Sequence, residues 1–278
     1  MIKIITDSTC DISLADQNKL GIEIIPMDLY FGEDHYKDGL TITHEEFYQR
    51  LNTVTELPTT SQINPNQFEE IFQEHIENGH DVIAILLSSE LSGTYQSAMI
   101  AANMIESDHL FVIDSLNATM GLSLLVHEAI RLHNEGLSAK EITAQLEEKK
   151  SKVRLYAYVD TLKFLKMGGR LSAASAAIGG LLGINPIIEI AEGKVNAIGK
   201  ERGRKKTYRT ISNFVLEHPI DENSIIIFGH TSGSDYLNEF KEIIAPAVTG
   251  HELLTQSIGC VVGTHIGPGA VGISYFEK

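Results

Sequence analysis

The chain has 278 residues and a mass of 30.6 kDa, long for one domain and short for three, so one large or two modest α/β domains bound the architecture. Apolar residues make up 43% and charged residues 21%, ordinary globular usage that excludes disordered, collagen-like and low-complexity chains. Thirty-seven acidic residues against 22 basic ones give a net charge of −15, which argues against broad nucleic-acid binding, because affinity for a phosphate backbone needs Lys and Arg clustered on one face.

The N-terminus, Met1-Ile2-Lys3-Ile4-Ile5-Thr6-Asp7, runs straight into a strand with no signal-peptide pattern, and no window approaches the roughly 18 apolar residues of a membrane span. A soluble, cytoplasmic protein without stable membrane insertion is expected. Strand-length apolar runs at 2–6, 22–25, 82–87, 110–113 and 155–159 are mostly separated by helix-length amphipathic stretches, the pattern of a mostly parallel sheet. Capping boxes open helices at Thr43-His44-Glu45-Glu46 and Ser138-Ala139-Lys140-Glu141. Another helix carries Phe68, Ile71, Phe72, His75 and Ile76 on one face and stops at Gly79. Beyond about residue 160 the pattern changes to Gly-rich turns and short strands at 187–190, 225–228, 253–258 and 271–275, so two α/β domains are expected, 1–159 and 160–278. Cys10 and Cys260 stand far apart with no CxxC, which predicts buried thiols and neither a disulfide framework nor a zinc knuckle.

In open parallel sheets, ligands bind beyond the carboxyl ends of strands. Here those ends carry hydroxyls and carboxylates: Asp7-Ser8-Thr9, Ser88-Ser89-Glu90-Leu91-Ser92-Gly93-Thr94, Asp114-Ser115 and His230-Thr231-Ser232. A further turn, Pro58-Thr59-Thr60-Ser61-Gln62, precedes the helix that starts near Pro65. At any single loop such residues serve as caps and turn formers, but their recurrence points to a ligand that is anionic at one end, held by neutral donors. Lys194, Lys200, Arg202, Arg204, Lys205, Lys206 and Arg209 put seven of the 22 positive residues in a short stretch opposed only by Glu201. Two readings stay open for this patch, a solvated helix face and a docking surface for an acidic protein. The run from Ile258 to Gly272 holds five glycines, which weaken both helix and strand and so imply close backbone approach or positive φ, and His265 lies at its centre in what reads as a polar turn. Arg170, after Gly168-Gly169, can reach a phosphate or carboxylate with its guanidinium fork. A serine hydrolase built on Ser92 and His265 is disfavoured, since Leu91-Ser92-Gly93 lacks the G-x-S-x-G elbow.

Together, Asp7-Ser8-Thr9-Cys10-Asp11, Thr60-Ser61-Gln62, Leu91-Ser92-Gly93-Thr94-Tyr95-Gln96-Ser97-Ala98, Gly168-Gly169-Arg170 and Gly263-Thr264-His265-Ile266-Gly267-Pro268-Gly269-Ala270 make the chain similar to the DegV family of bacterial fatty-acid-binding proteins, in the right order over nearly its whole length. The resemblance implies two α/β domains with an apolar tunnel between or within them that encloses one long-chain fatty acid. It implies a carrier and not an enzyme, needing no cofactor or metal, which presents the carboxylate to a separate ATP-dependent fatty acid kinase. The resulting acyl phosphate would feed phospholipid synthesis. By motif position, Thr60 and Ser92 would hydrogen-bond the carboxylate, Ser61 and Gly93 would shape the same pocket, and Arg170 and His265 would neighbour the phosphoryl group. Arg202, Arg204 and Lys205 would belong to the kinase-docking surface. The absence of a GxxxxGK[ST] run agrees with a partner that supplies the ATP site. Asn185-Pro186 stands where many relatives have Lys-Pro, and Ile63-Asn64 where Pro-Ser is common, the latter bearing on tunnel shape.

Overall fold

The computed structural model describes residues 1–175, 184–231 and 234–278. In chain order the first part runs β1 (Ile2–Asp7), α1 (Leu14–Leu20), β2 (Ile22–Ile25), β3 (Asp28–Phe31), β4 (Asp34–Lys37), α2 (His44–Leu51), β5 (Thr59–Ser61), α3 (Pro65–Glu77), β6 (Asp81–Leu86), α4 (Thr94–Ile105), β7 (Leu110–Asp114), α5 (Thr119–Asn134) and α6 (Ala139–Lys149). The second runs β8 (Val153–Tyr158), α7 (Lys163–Met167), β9 (Ile184–Ala191), β10 (Lys194–Arg202), α8 (Arg204–Glu217), β11 (Ile226–His230), α9 (Ser234–Ile244), β12 (Leu253–Ser257), α10 (Cys260–Ile266) and β13 (Val271–Phe276).

A strand buried on both faces needs a continuous apolar run, and β1 and β6 supply one each. Val82 to Leu86 are fully buried, and the register sets Ile4 between Ile22 and Ile83. These strands form a parallel sheet of order β2-β1-β6-β7, as the spacing of apolar runs predicted. Helix α3 covers it with Phe68 and Phe72, both fully buried, and begins on the Asn64 side chain with Pro65 in its first turn. Both capping boxes form as the sequence predicts, at Thr43/Glu46 and Ser138/Glu141.

The second sheet has the order β10-β9-β8-β13-β11-β12 and is antiparallel at every step except β11 to β12. Strand β8 hydrogen-bonds to β9 and β13 within it, so a division at 159/160 separates β8 from its own sheet. Apolar periodicity identifies a strand but carries no information about its neighbours; by pairing, β8 belongs with the C-terminal half.

A third sheet, order β4-β3-β5, was not legible in the sequence. Its strands are only three or four residues long, and although β3 alternates with Leu29 and Phe31 buried, β4 and β5 are polar, so the pattern is too short to register. The expected turn at 58–62 is in fact edge strand β5, with Thr60 opposite Leu29. The stretch expected as a polar turn around His265 is likewise helix α10, entered through Gly259.

Helix α5 joins these parts. Eleven of its sixteen residues are buried, as a helix requires when it is covered on most sides. Met120, at its start, lies against Gly229 of β11 and Gly272 of β13, where a Cβ would approach the thioether to 2.6 Å and 2.7 Å. No helix among the described residues is long and apolar enough to cross a membrane.

Candidate functional site

One cavity of about 390 Å³ opens between the parallel sheet, the six-stranded sheet and α10, a size within the roughly 300–1,000 Å³ of ligand pockets. Thr60, Ser61, Ser92, Gly93, Arg170 and His265 all line it. They come from strand β5, the β6–α4 loop, the segment after α7, and α10, and only tertiary folding brings them to one wall.

The lining is graded. Thr60, Ser61, Ser92, Gly93, Arg170 and His265 are each half-buried at the mouth. Behind them stand Met27, Met120, Leu155, Ala157, Ile188 and Val261, each at most 4% exposed, with Thr9 and Thr119 as buried hydroxyls among them. A polar rim over an apolar interior suits a ligand with one anionic end and a long hydrocarbon, because the carboxylate keeps donors while the chain leaves water.

At the rim the Thr60 hydroxyl lies 3.2 Å from His265 Nε2. Burial, helped by the nearby Arg170 charge, pushes the His265 imidazole down to about 4, so the ring is neutral at pH 7. Its Nδ1 is buried with no partner among the described residues, and a Cβ on Gly168 would come within 2.3 Å of it. The neutral tautomer with its proton on Nε2 donates to Thr60 and leaves the threonine hydroxyl hydrogen free for an anion. The Ser92 hydroxyl sits 3.0 Å from that of Thr94 and accepts from the Thr94 N–H. Arg170 donates through Nε to the Leu91 carbonyl at 3.2 Å and through Nη1 to the Gly168 carbonyl, so part of its fork is spent on the scaffold. The sequence missed Gln62 as a packing element: its Nε2 donates to Ser97 at 2.9 Å, and its carboxamide oxygen fills the space a Cβ on Gly93 would need.

The other strand-end polar residues divide. Thr9 lines the cavity. Ser88 donates to the Gly193 carbonyl, Asp114 accepts from Ser89 and Leu116, and Thr231 is exchanged with Ala270, so these hold loops together and contribute nothing to the rim. Ser232 lies outside the described residues. Of the family departures, Ile63 is buried in the core and Asn64 caps α3, and neither is among the lining residues; Asn185 donates to the Tyr158 hydroxyl.

The basic stretch is less free than its sequence suggests. Glu239 pairs with Arg204 at 2.8 Å and Lys205 at 3.4 Å, Glu90 with Lys194 at 3.5 Å, and Glu201 with Lys206 at 2.6 Å. The expectation of a single opposing acid is therefore corrected, since Glu239 and Glu90 are remote in sequence and arrive through the fold. Among the described residues Lys200, Arg202 and Arg209 are exposed and form no ion pair.

The model of the DegV family, described as an uncharacterised protein family, matches residues 1–278. This chain belongs to the DegV family. A DegV domain-containing protein of Caldanaerobacter subterraneus subsp. tengcongensis is 37% identical over 279 residues, covering 100% of this chain and 99% of that one. Among solved structures, the fatty-acid-binding DegV family protein of Thermus thermophilus is similar at a TM-score of 0.90 and 29% identity, and the stearic acid-binding protein of Eubacterium ventriosum at 0.90 and 29%, each covering 100% of this chain and 99% of the other. The DegV fatty-acid-binding protein of Bacillus subtilis follows at 0.84 and 31%, with the same coverage.

Proposed function

We propose that this DegV protein binds one long-chain fatty acid with its tail in the 390 Å³ cavity and its carboxylate at the rim. The grading of that cavity, with hydroxyls, a neutral imidazole and the Arg170 guanidinium outside and mostly apolar side chains within beside the buried Thr9 and Thr119, is the observation that carries the reading. Thr60 and Ser92 hydrogen-bond the carboxylate, Ser61 and Gly93 shape the pocket around it, and Arg170 and His265 stand beside it. Each CH₂ that leaves water contributes about 0.8 kcal/mol, so the tail supplies affinity and the head supplies orientation. The fatty-acid ligands of the related structures support this reading.

The half-buried rim leaves the head group within reach of another protein, and we extend the reading to a carrier. A carboxylate oxygen attacks the γ-phosphorus of ATP held by a partner kinase, ADP departs, and the acyl phosphate goes on to phospholipid synthesis. Arg170 and His265 face the incoming phosphoryl group, where fixed donors matter most. Exposed Arg202, with Lys200 and Arg209, forms the docking face, while Arg204 and Lys205 are paired with Glu239.

Native mass spectrometry of the purified chain, followed by solvent extraction and identification of what dissociates, tests the first step. A long-chain fatty acid at one per chain is expected; a chain that stays unliganded after incubation with fatty acids rejects it.

A further inference from the structure

Helix α10 brings His265 to the rim, yet at seven residues it is far shorter than a helix that stands by propensity alone. Its N-cap, Gly259, has no side chain to accept from the first turn. Two carboxylates from far upstream do so. Asp11 Oδ1 accepts from the Gly259 N–H at 2.8 Å, and Asp38 accepts from Cys260 at 2.9 Å through Oδ1 and from Val261 at 3.4 Å through Oδ2. Asp11 and Asp38 are only 5% and 1% exposed. The Ser8 hydroxyl donates to Asp38 Oδ2 at 3.0 Å and accepts from the Met27 N–H at 3.1 Å, so the clamp is locked to the loops after β1 and β2.

Glycine at 259 follows from this arrangement, since a Cβ there would stand 2.9 Å from Asp11 Oδ1 and 3.2 Å from both Asp38 oxygens. Along the helix, Gly263 sits against Phe47 and Tyr48, and the Tyr48 hydroxyl donates to the Ile258 carbonyl at 2.9 Å. Asp38, His44 and Cys260 also offer donor atoms within 4.8 Å of one another. Both Asp38 oxygens are already engaged by three protein donors, which makes the carboxylate a helix cap in preference to a metal ligand.

We infer that Asp38, assisted by Asp11, is a positioning residue for the head-group site: it holds the start of α10 so that His265 stays within hydrogen-bonding distance of Thr60. This rests on the fatty-acid reading for its functional consequence. Carboxyl oxygens that accept from the open N–H groups of a helix start fix its direction, and a helix of two turns shifts when those partners are lost.

The test uses the full chain with Asp38→Asn, which keeps the volume but removes the charge and replaces one acceptor with a donor. Imidazole resonances of His265 are followed by NMR in the unliganded protein, and oleate affinity is measured in parallel. Displaced His265 resonances with a raised imidazole pKa, together with about tenfold or greater loss of oleate affinity, are expected. Ser8→Ala, which unlocks the carboxylate without removing it, should move both in the same direction by less, and it carries the test if Asp38→Asn fails to fold. Unchanged His265 resonances, or displaced resonances with unchanged affinity, overturn the inference. If the wild-type protein takes up no oleate, the fatty-acid reading fails separately, and the resonances still report whether Asp38 places His265.

Discussion

Neutral donors at the rim set the behaviour of single residues. Loss of both hydroxyls in Thr60→Ala/Ser92→Ala removes two partners worth roughly 1 to 3 kcal/mol each to a carboxylate. Fatty-acid affinity measured by calorimetry is expected to weaken at least tenfold; equal affinity would remove Thr60 and Ser92 from the head site. His265 shares a pH signature with His44, His127 and His230, whose imidazoles burial also pushes down. Its folded value of about 4 lies below the ordinary 6.5, so the unfolded chain binds more protons between the two, and stability falls as pH drops through that window. The contribution is on the order of 3 kcal/mol when fully expressed. Urea unfolding of the unliganded protein across that range should show the decline, and His265→Gln should make it shallower, with the remainder carried by His44, His127 and His230.

At the scale of elements, packing explains the glycines better than propensity does. A Cβ on Gly263 would lie 2.6 Å from the Tyr48 hydroxyl and 2.8 Å from Phe47 Cε1, so Gly263→Ala must push α10 off α2. About 1 to 3 kcal/mol of destabilisation is expected from such overpacking, read as a lower Tm together with weaker lipid retention. Helices α5 and α6 are tied differently. Glu128, 6% exposed, accepts from Arg131 through both oxygens and from Lys149 at 2.7 Å, and those cations hold its carboxyl below the usual range despite burial. Glu128→Gln should cost about 2 kcal/mol in denaturant unfolding while leaving fatty-acid affinity unchanged, since the pair lies outside the cavity lining.

Across the whole molecule, the basic face and the overall negative charge of −15 work against each other unless the partner is locally acidic. Reversing Lys200, Arg202 and Arg209 to Glu leaves the Glu239 pairs of Arg204 and Lys205 intact, so the fold is spared. Under the proposed carrier role, phosphorylation of bound fatty acid by a partner kinase should slow through association, with a steeper loss at low salt, while fatty-acid affinity stays unchanged. An unaltered rate would assign the patch to solvated surface.

The strands of the parallel sheet, the stripe of α3 and both capping boxes were legible because each depends on residues a few positions apart, where periodicity and local hydrogen bonds act directly. The motifs at Thr60, Ser92, Arg170 and His265 were legible as chemistry too. Their meeting at one rim was implied only by the family resemblance and not by any local pattern, because it requires β5 to pair with β3 and α10 to be capped by Asp11 and Asp38, contacts spanning much of the chain. Strand β8 shows the same limit: its apolar run predicted a strand, but only hydrogen-bond pairing placed it beside β13. The partly neutralised basic patch is a third instance, with Glu239 and Glu90 supplied by distant segments. Local order follows from nearest neighbours in sequence, whereas a cavity, its polarity gradient and the residual charge on a surface are properties of neighbours in space.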